Sequence, residues 1–396
     1  MKLTKINYNT FIKVSIFLFC FFLTGFFCSA VSAKQTSSKH SNKIEYFFWN
    51  KIAKRSAIQA WKMMGHKPLP KNSIVLTSAG YSVIDGHTTE ACLDGLRRFT
   101  GSSSGKGTLI SVHRKRNSPL WFFFYDKKTG YGVYCEINST LLSSTLSCLD
   151  SFSSKEISNK FTEIPVGAFY NILCIERINA DYMLSNLEEW NDNFSDEIFG
   201  GNEFSIVTIA NIIEKNAPYD LIRSAMFHDH LCPGLTSGYL LANYIEEHFP
   251  IDQSSKYFYF SLPPWCKDDA IQILLNTTPG KRSYAVTYLT QEDKDRLKGE
   301  YRNIAGIFFR KNDNGIWEGS VLEFDFDLAR EMMNIDWNGM YWWESRLLMD
   351  IGFLPYLETP EIFISELKRF FLEEGVEPKD FARPGVDVLE EFGLVE

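Results

Sequence analysis

Cys266-Lys267-Asp268-Asp269-Ala270-Ile271, with the turn Asn276-Thr277-Thr278-Pro279-Gly280-Lys281, repeats an earlier pattern: Cys92-Leu93-Asp94-Gly95-Leu96, then the turn Gly101-Ser102-Ser103-Ser104-Gly105-Lys106. Each block opens on Cys-x-Asp and closes on Gly-Lys. The Cys-to-Gly spacings are 14 and 13 residues. The same order of elements surrounds both blocks. In the first half, apolar periodicity predicts a helix over 44–64, stopped by Gly65, Pro68 and Pro70. A strand over 73–83, a helix over 92–99 and a strand over 108–113 come next. A hairpin over 120–125 and 132–137 closes the half. The second half gives a helix over 235–249, a strand over 257–262, a helix over 266–275 and a strand over 284–289. Its hairpin, 304–310 with 319–326, turns through Asn312-Asp313-Asn314-Gly315. The fold class expected is α+β: two similar helix-plus-antiparallel-sheet cores.

The remaining stretches complete the organisation. Ser139 to Lys160 is rich in Ser and Thr and reads as a linker, Phe161 to Ile175 has a mixed pattern, and Glu203 to Asn216 reads as a helix. Helices with acidic faces are expected at 328–333, 341–350 and 360–374. The domains expected are thus a signal peptide at 1–33, a degenerate core at 34–138, a connecting region at 139–202, a second core at 203–327 and a helical tail at 328–396.

Composition limits the function. The chain has 396 residues, 45% of them apolar, enough for two or three domains and large cores. A formal net charge of −8 lacks the basic footprint of a nucleic-acid binder. Eight cysteines are too sparse for a disulfide scaffold. The N-terminus carries Lys2, Lys5 and Lys13, an uncharged apolar run from Val14 to Phe27, and small residues at Val31, Ser32 and Ala33. That is the layout of a secretory signal peptide, which sends the mature chain to the periplasm or the outside. The alternative is an uncleaved anchor over Ile12–Val31. No later stretch is long and apolar enough to span a bilayer.

The chemistry concentrates in Phe227-His228-Asp229-His230-Leu231-Cys232-Pro233-Gly234. Two imidazoles and a thiol stand at i, i+2 and i+4. On an extended segment all three would project from one face. Imidazole and thiolate are the usual ligands of zinc and also suit nickel or iron. Pro233 fits the first turn of the next helix, which puts Cys232 at the N-cap, where the helix dipole favours thiolate. A fourth position is open to Cys266, Asp229, water or substrate. Cys266 also opens a helix, with Asp268 and Asp269 in its first turn. Its other readings are an inert thiol or a disulfide to Cys232, which would exclude thiolate ligation.

Lys106 and Lys281 sit in Gly-Lys turns that lack the spacing of a P-loop. They are either plain tight turns or amide-and-lysine cradles for an anionic group near the Cys helix. His87 and Cys92 supply two ligand types but no third. The first half has no His-x-His-x-Cys counterpart and reads as a partner core without the site. The Phe122-Phe123-Phe124 run, Trp342 and Trp343 are expected in the core.

The segment His228-Asp229-His230-Leu231-Cys232-Pro233-Gly234-Leu235 with Gly238-Tyr239 resembles the signature of the FmdE family of formylmethanofuran dehydrogenase components. So does Cys266 to Gln272 with Thr278-Pro279-Gly280-Lys281. In the first half Cys92-Leu93-Asp94, Gly105-Lys106-Gly107-Thr108-Leu109 and Thr129-Gly130-Tyr131-Gly132-Val133 are similar to the later part of the pattern. The resemblance implies an α+β core, a transition metal at the His/Cys motif and pairing of two cores, which a tandem chain makes as an intrachain pseudo-dimer. No Cys follows Cys266, so the C-terminal zinc finger of some members has no counterpart.

Three functions remain in view. The first is an exported metal-binding protein that holds its ion through His228, His230, Cys232 and Cys266 and handles a metal or a metal-bearing cofactor. The second is a metal-dependent enzyme with an open coordination position and Asp229, Asp268 or Asp269 as base. The third is a structural or interaction protein stapled by a Cys232–Cys266 disulfide. No catalytic residue is assigned, and the partner expected is a metal ion or a metal-bearing small molecule.

Overall fold

Phe48, Trp49, Ile52, Ala53, Ala57 and Ala60 recur at helical spacing, and the helix they form, α1 (Ser38–Met64), buries them all. The structure, a computed structural model, describes residues 38–252, 255–312 and 314–396. The expected signal peptide, 1–33, lies outside the described residues. Ile44–Glu396 form one compact unit, which holds both cores.

In the first core, α1 leads to β1 (Ser73–Thr77), α2 (Ala91–Thr100), β2 (Leu109–Ser111) and the hairpin β3 (Trp121–Asp126) and β4 (Tyr131–Ile137). A fifth strand, β5 (Tyr170–Arg177), completes a sheet of order β2-β1-β3-β4-β5. Only the β1–β2 pair is parallel. Successive strand residues serve opposite faces. Val75, Phe122, Phe124, Val133 and Cys135 pack with α1 and α2, whereas Ile74, Leu76, Trp121, Phe123 and Tyr125 pack into the middle of the molecule. Each of these fully buried side chains contributes about 1.5–3 kcal/mol relative to exposure.

The middle layer holds α3 (Glu203–Glu214) and α4 (Tyr219–His228). Ile206, Val207, Ile209, Ala210 and Ile212 of α3 are all buried, because this helix has protein on every side.

The second core repeats the first: α5 (Pro233–His248), β6 (Tyr257–Ser261), α6 (Lys267–Leu274), β7 (Tyr284–Val286) and the hairpin β8 (Ile304–Lys311) and β9 (Trp317–Phe324). After α7 (Trp342–Phe353), β10 (Ile364–Phe371) adds the last strand, giving β7-β6-β8-β9-β10. Again only the first pair, β6–β7, is parallel. The α+β expectation holds, with two similar sheet-containing cores in one chain. Tyr257, Tyr259 and Phe308 face α5 and α6, while Phe258, Phe260, Ile307 and Phe309 are covered by Val388, Leu389, Phe392 and Leu394 near the C-terminus.

Two expectations need correcting. Residues 360–374 are not a helix: a single turn at Pro360–Ile362 precedes β10. The edge of β9 pairs Ile364–Phe371, and Arg369 reaches Glu318 across the strands at 3.4 Å. The stretch expected to be a linker carries helices at Ser139–Leu146 and Ser154–Glu163. Beyond it, the mixed-pattern stretch runs into β5. Among the described residues no helix is long and apolar enough to cross a membrane.

Candidate metal centre

His228 is the last residue of α4, and Asp229 closes that helix in the left-handed region at φ 74°. Asp is among the few residues that adopt this conformation readily. Leu231 is buried, and its N–H donates to Thr208 Oγ1 on α3 at 3.1 Å. Cys232 follows in extended conformation (φ −154°, ψ 162°) as the N-cap of α5, with Pro233 in the first turn. The N-cap expectation holds. The extended segment does not: the motif is the corner between two helices, so His228 and Cys232 meet because the chain turns back at Asp229.

Cys266 is the N-cap of α6, with Asp268 and Asp269 in the first turn. The α5 and α6 helices touch at Gly238, where an added Cβ would lie 2.6 Å from the Lys267 Cα and closer still to its carbonyl oxygen. Only glycine allows this approach, and the approach brings the two cysteine-bearing helix starts together. Gly238→Ala should part the helices, cost about 1–3 kcal/mol by overpacking and weaken metal uptake in step. Urea denaturation and a zinc titration check both effects; an unchanged midpoint would remove Gly238 from the account.

His228, Cys232 and Cys266 bring one ligand atom each within 4.8 Å of one another. His228 Nε2 is 3.9 Å from Cys232 Sγ, and its Nδ1 bonds Asp269 Oδ2 at 2.6 Å. A carboxylate on the far nitrogen fixes the ring and leaves Nε2 for the centre. All six described cysteines are free thiols, so the Cys232–Cys266 disulfide is not formed. A hydrogen bond from Cys232, together with His228, pulls Cys266 down to about 4 against its burial. The same bond and burial push Cys232 well up. For His228, burial acts downward, but the hydrogen bonds to Asp269 and Cys266 prevail and raise it to about 9. The bond between the two sulfurs thus favours the thiolate at Cys266, and Asp269 with Cys266 favours the protonated ring at His228.

His230 lies outside this trio. Its ring centroid is 4.5 Å from that of His228, and its Nδ1 bonds Asp229 Oδ1 at 2.7 Å. Asp229 in turn accepts Arg114 Nη1 at 2.8 Å, and Arg114 Nη2 donates to Ser205 Oγ at 2.6 Å. Arg114 belongs to the first core. The backbone N–H of neighbouring His113 donates to the Met226 carbonyl at 2.9 Å, and its ring Nδ1 bonds the Phe227 carbonyl at 3.1 Å. The first core therefore buttresses the motif of the second, a role no local sequence signal marks.

The three carboxylates considered as bases all have partners. Asp269 holds His228 and Asp229 holds His230. Asp268 holds Lys267, whose side chain is 0% exposed and whose Nζ lies 2.9 Å from Asp268 Oδ1. Lys267 Nζ also donates to Ser261 Oγ at 3.0 Å and the Pro263 carbonyl at 2.8 Å, and stands 3.6 Å from the centre of the Trp265 ring. Asp350, expected on an acidic helix face, is instead fully buried. Burial pushes its carboxyl well up, Oδ2 has no partner, and Oδ1 accepts Thr236 Oγ1 at 3.4 Å.

Other sequence candidates fall elsewhere. His87 bonds Glu45 at 2.9 Å, and the buried Cys92 thiol donates to the Trp49 carbonyl at 3.4 Å. Lys106 reaches back to the Gly101 carbonyl at 3.0 Å, and Lys281 to Asn276. Trp343 and the Phe122–Phe124 run are core, whereas Trp342 is half-exposed and packs on Phe204, which lies against His230. Glu247, His248 and Glu361 also converge, but at the exposed surface, where acidic groups gather without an ion.

Residues 227–335 match the model of the FmdE family, described as "FmdE, Molybdenum formylmethanofuran dehydrogenase operon". The FmdE match begins one residue before His228 and takes in Cys232, Cys266 and the sheet from β6 to β9. The first core lies outside it. No curated protein compared with the chain matches it. The description names the operon of a dehydrogenase and states no role for FmdE within it.

Proposed function

We propose that the chain is an exported, FmdE-like transition-metal-binding protein that handles a metal or a metal-bearing cofactor. The observation that carries this reading is the convergence of His228, Cys232 and Cys266 within 4.8 Å. The donor set fits. Two sulfurs and an imidazole nitrogen suit zinc, and also nickel or iron, better than hard cations. Ligands at about 2.3 Å for sulfur and about 2.0 Å for nitrogen sit roughly 3.5 Å apart, close to the spacing present. Asp269 would orient His228, whose ring centroid lies 4.5 Å from that of His230. Export rests on the N-terminal sequence. Tandem duplication rests on the shared strand order, with the first copy kept as a scaffold without ligands.

A second reading, a metal-dependent enzyme, is favoured by one feature: three ligands rather than four leave a position open, as catalytic sites do. A bound ion would supply a Lewis acid there.

Metal uptake must displace protons. With His228 raised to about 9 and Cys232 raised well above the ordinary thiol value, both are protonated at neutral pH, whereas Cys266 is not. Zinc affinity should therefore climb steeply as pH rises, by up to about a hundredfold per pH unit for two displaced protons. Competition against a chromogenic chelator at pH 6, 7 and 8 reads the slope; equal affinities would contradict it. Elemental analysis of untagged protein tests the reading as a whole. It should find one metal ion per chain, with the melting temperature falling on chelation. Metal-free protein whose stability ignores added zinc and nickel would overturn it.

A further inference from the structure

A cleft of about 460 Å³ lies between α1 and the chain at 158–166. Its α1 wall carries Lys51, Lys54, Arg55 and Lys62. Lys51, Lys54 and Arg55 stand at i, i+3 and i+4 and share one helix face. Lys62 follows on that face about three turns, or about 16 Å, further along. Against these four cations the wall holds one carboxylate, Glu163, which pairs with none of them. Lys51 Nζ stands 4.7 Å from the centre of the Phe47 ring and Lys54 Nζ 5.0 Å from that of Phe99, contacts that leave both charges in place. The Arg55 guanidinium donates to the Phe161 and Ile164 carbonyls and so ties the opposite wall to α1. Burial, and then the charge of Lys54, push the Lys51 ammonium down, and burial does the same to Arg55. This crowding of unpaired cations stands out in a chain of formal net charge −8. The rest of the lining is largely apolar: Ile58, Phe161, Ile164 and the exposed Val166.

We infer that this cleft binds an anionic amphiphile, an acyl chain headed by a carboxylate or a phosphate. Lys51 and Lys54, both partly exposed, take the head, and Ile58, Ile164 and Val166 take the chain. Arg55 adds charge but spends its bonds on the wall. An inorganic anion would leave the apolar lining in water, and an uncharged chain would leave the lysines unpaired; an amphiphile answers both. The volume is that of a small-molecule site. The cleft lies outside the FmdE match, so the inference stands apart from the metal reading. It gives the first core, which has no metal motif, a ligand of its own.

Calorimetric titration of the full chain with decanoate, and separately with decyl phosphate, tests the inference, each kept below the concentration at which it forms micelles. At least one should bind saturably, one per chain. Decanoate alone assigns a carboxylate head, decyl phosphate alone a phosphate head, and both assign the anionic head they share. Decyl maltoside, with the same chain and no charge, and acetate, with the charge and no chain, should each bind at least about tenfold more weakly. Lys51→Met with Lys54→Met keeps the stems, removes two charges and should weaken binding about tenfold or more. Val166→Asp should weaken it about tenfold through the lost apolar contact and the added like charge. Val166 is 42% exposed, so its variant keeps the fold and decides the matter even if the lysine variant does not fold. No saturable binding of either amphiphile, equal binding of decyl maltoside, or binding that these substitutions leave unchanged overturns the inference. Saturable binding of a hexaglutamate peptide, with neither amphiphile binding, assigns the cleft to an acidic protein segment and overturns it as well.

Discussion

Cys232→Ala is expected to abolish specific zinc binding while leaving the helices in place. The Cys232 sulfur is buried, lies 3.9 Å from His228 Nε2 and belongs to the only ligand trio among the described residues that is not wholly exposed. Its side chain makes no cap hydrogen bond to α5, so helix α5 does not depend on it. Loss of a partner behind a ligand costs roughly 10–100-fold in metal affinity, and loss of a ligand itself should exceed that. Asp269→Asn supplies the scale: it keeps the trio, weakens the hold on His228 Nδ1 and should fall in the roughly 10–100-fold range. Chelator competition measures both, with circular dichroism as the folding control. A Cys232→Ala protein that holds zinc as tightly as the parent would remove this cysteine from the site.

Asp268→Ala should produce the largest loss of stability, about 3–5 kcal/mol, because it strands a buried ammonium. Lys267 is 0% exposed, and Asp268 is its only anionic partner within ion-pair distance among the described residues. Burial already pushes Lys267 down to about 8, with Asp268 pulling the other way. Between about pH 8 and the ordinary lysine value of 10.5, the unfolded chain holds the proton that the folded chain has lost. In that window this group makes stability rise with pH. Without Asp268 the folded value drops further, so the rise should begin at lower pH in the variant. Denaturant titrations at pH 7 and pH 9 read both effects. Adding Lys267→Met to Asp268→Ala should recover the part of the loss due to the stranded ammonium, while the bonds from Ser261 Oγ and the Trp265 N–H to Asp268 stay lost. If the single variant is as stable as the parent, the pair is not what anchors the start of α6.

The two Cys-x-Asp blocks made the similar order of elements in the two cores readable, because strand and helix periods were both present around them. Cys232 and Cys266 as helix N-caps were readable for the same reason: Pro233 and the acidic first turn of α6 mark helix starts. What escaped was set by tertiary context. Ile364–Phe371 is rich in good helix formers, but the open edge of β9 recruits it as a strand. Tyr170–Arg177 buries apolar residues on both faces of β5, Cys174 toward the middle layer and Leu173 and Ile175 toward α1, so its alternation is blurred. The spacing of His228 and Cys232 suited a strand equally well; only the left-handed Asp229 turns it into a corner. Arg114 stands 115 residues from Asp229 in the chain, and no local pattern predicts that pairing. Asp350 reads as surface charge until its helix is seen packed on α5, where Thr236 meets it.

X-ray absorption at the metal edge of zinc-loaded protein tests the central claim most directly. The account predicts two sulfur neighbours at about 2.3 Å and at least one nitrogen near about 2.0 Å, with one sulfur lost in Cys266→Ala. A spectrum with oxygen and nitrogen neighbours only, unchanged by that substitution, would contradict it.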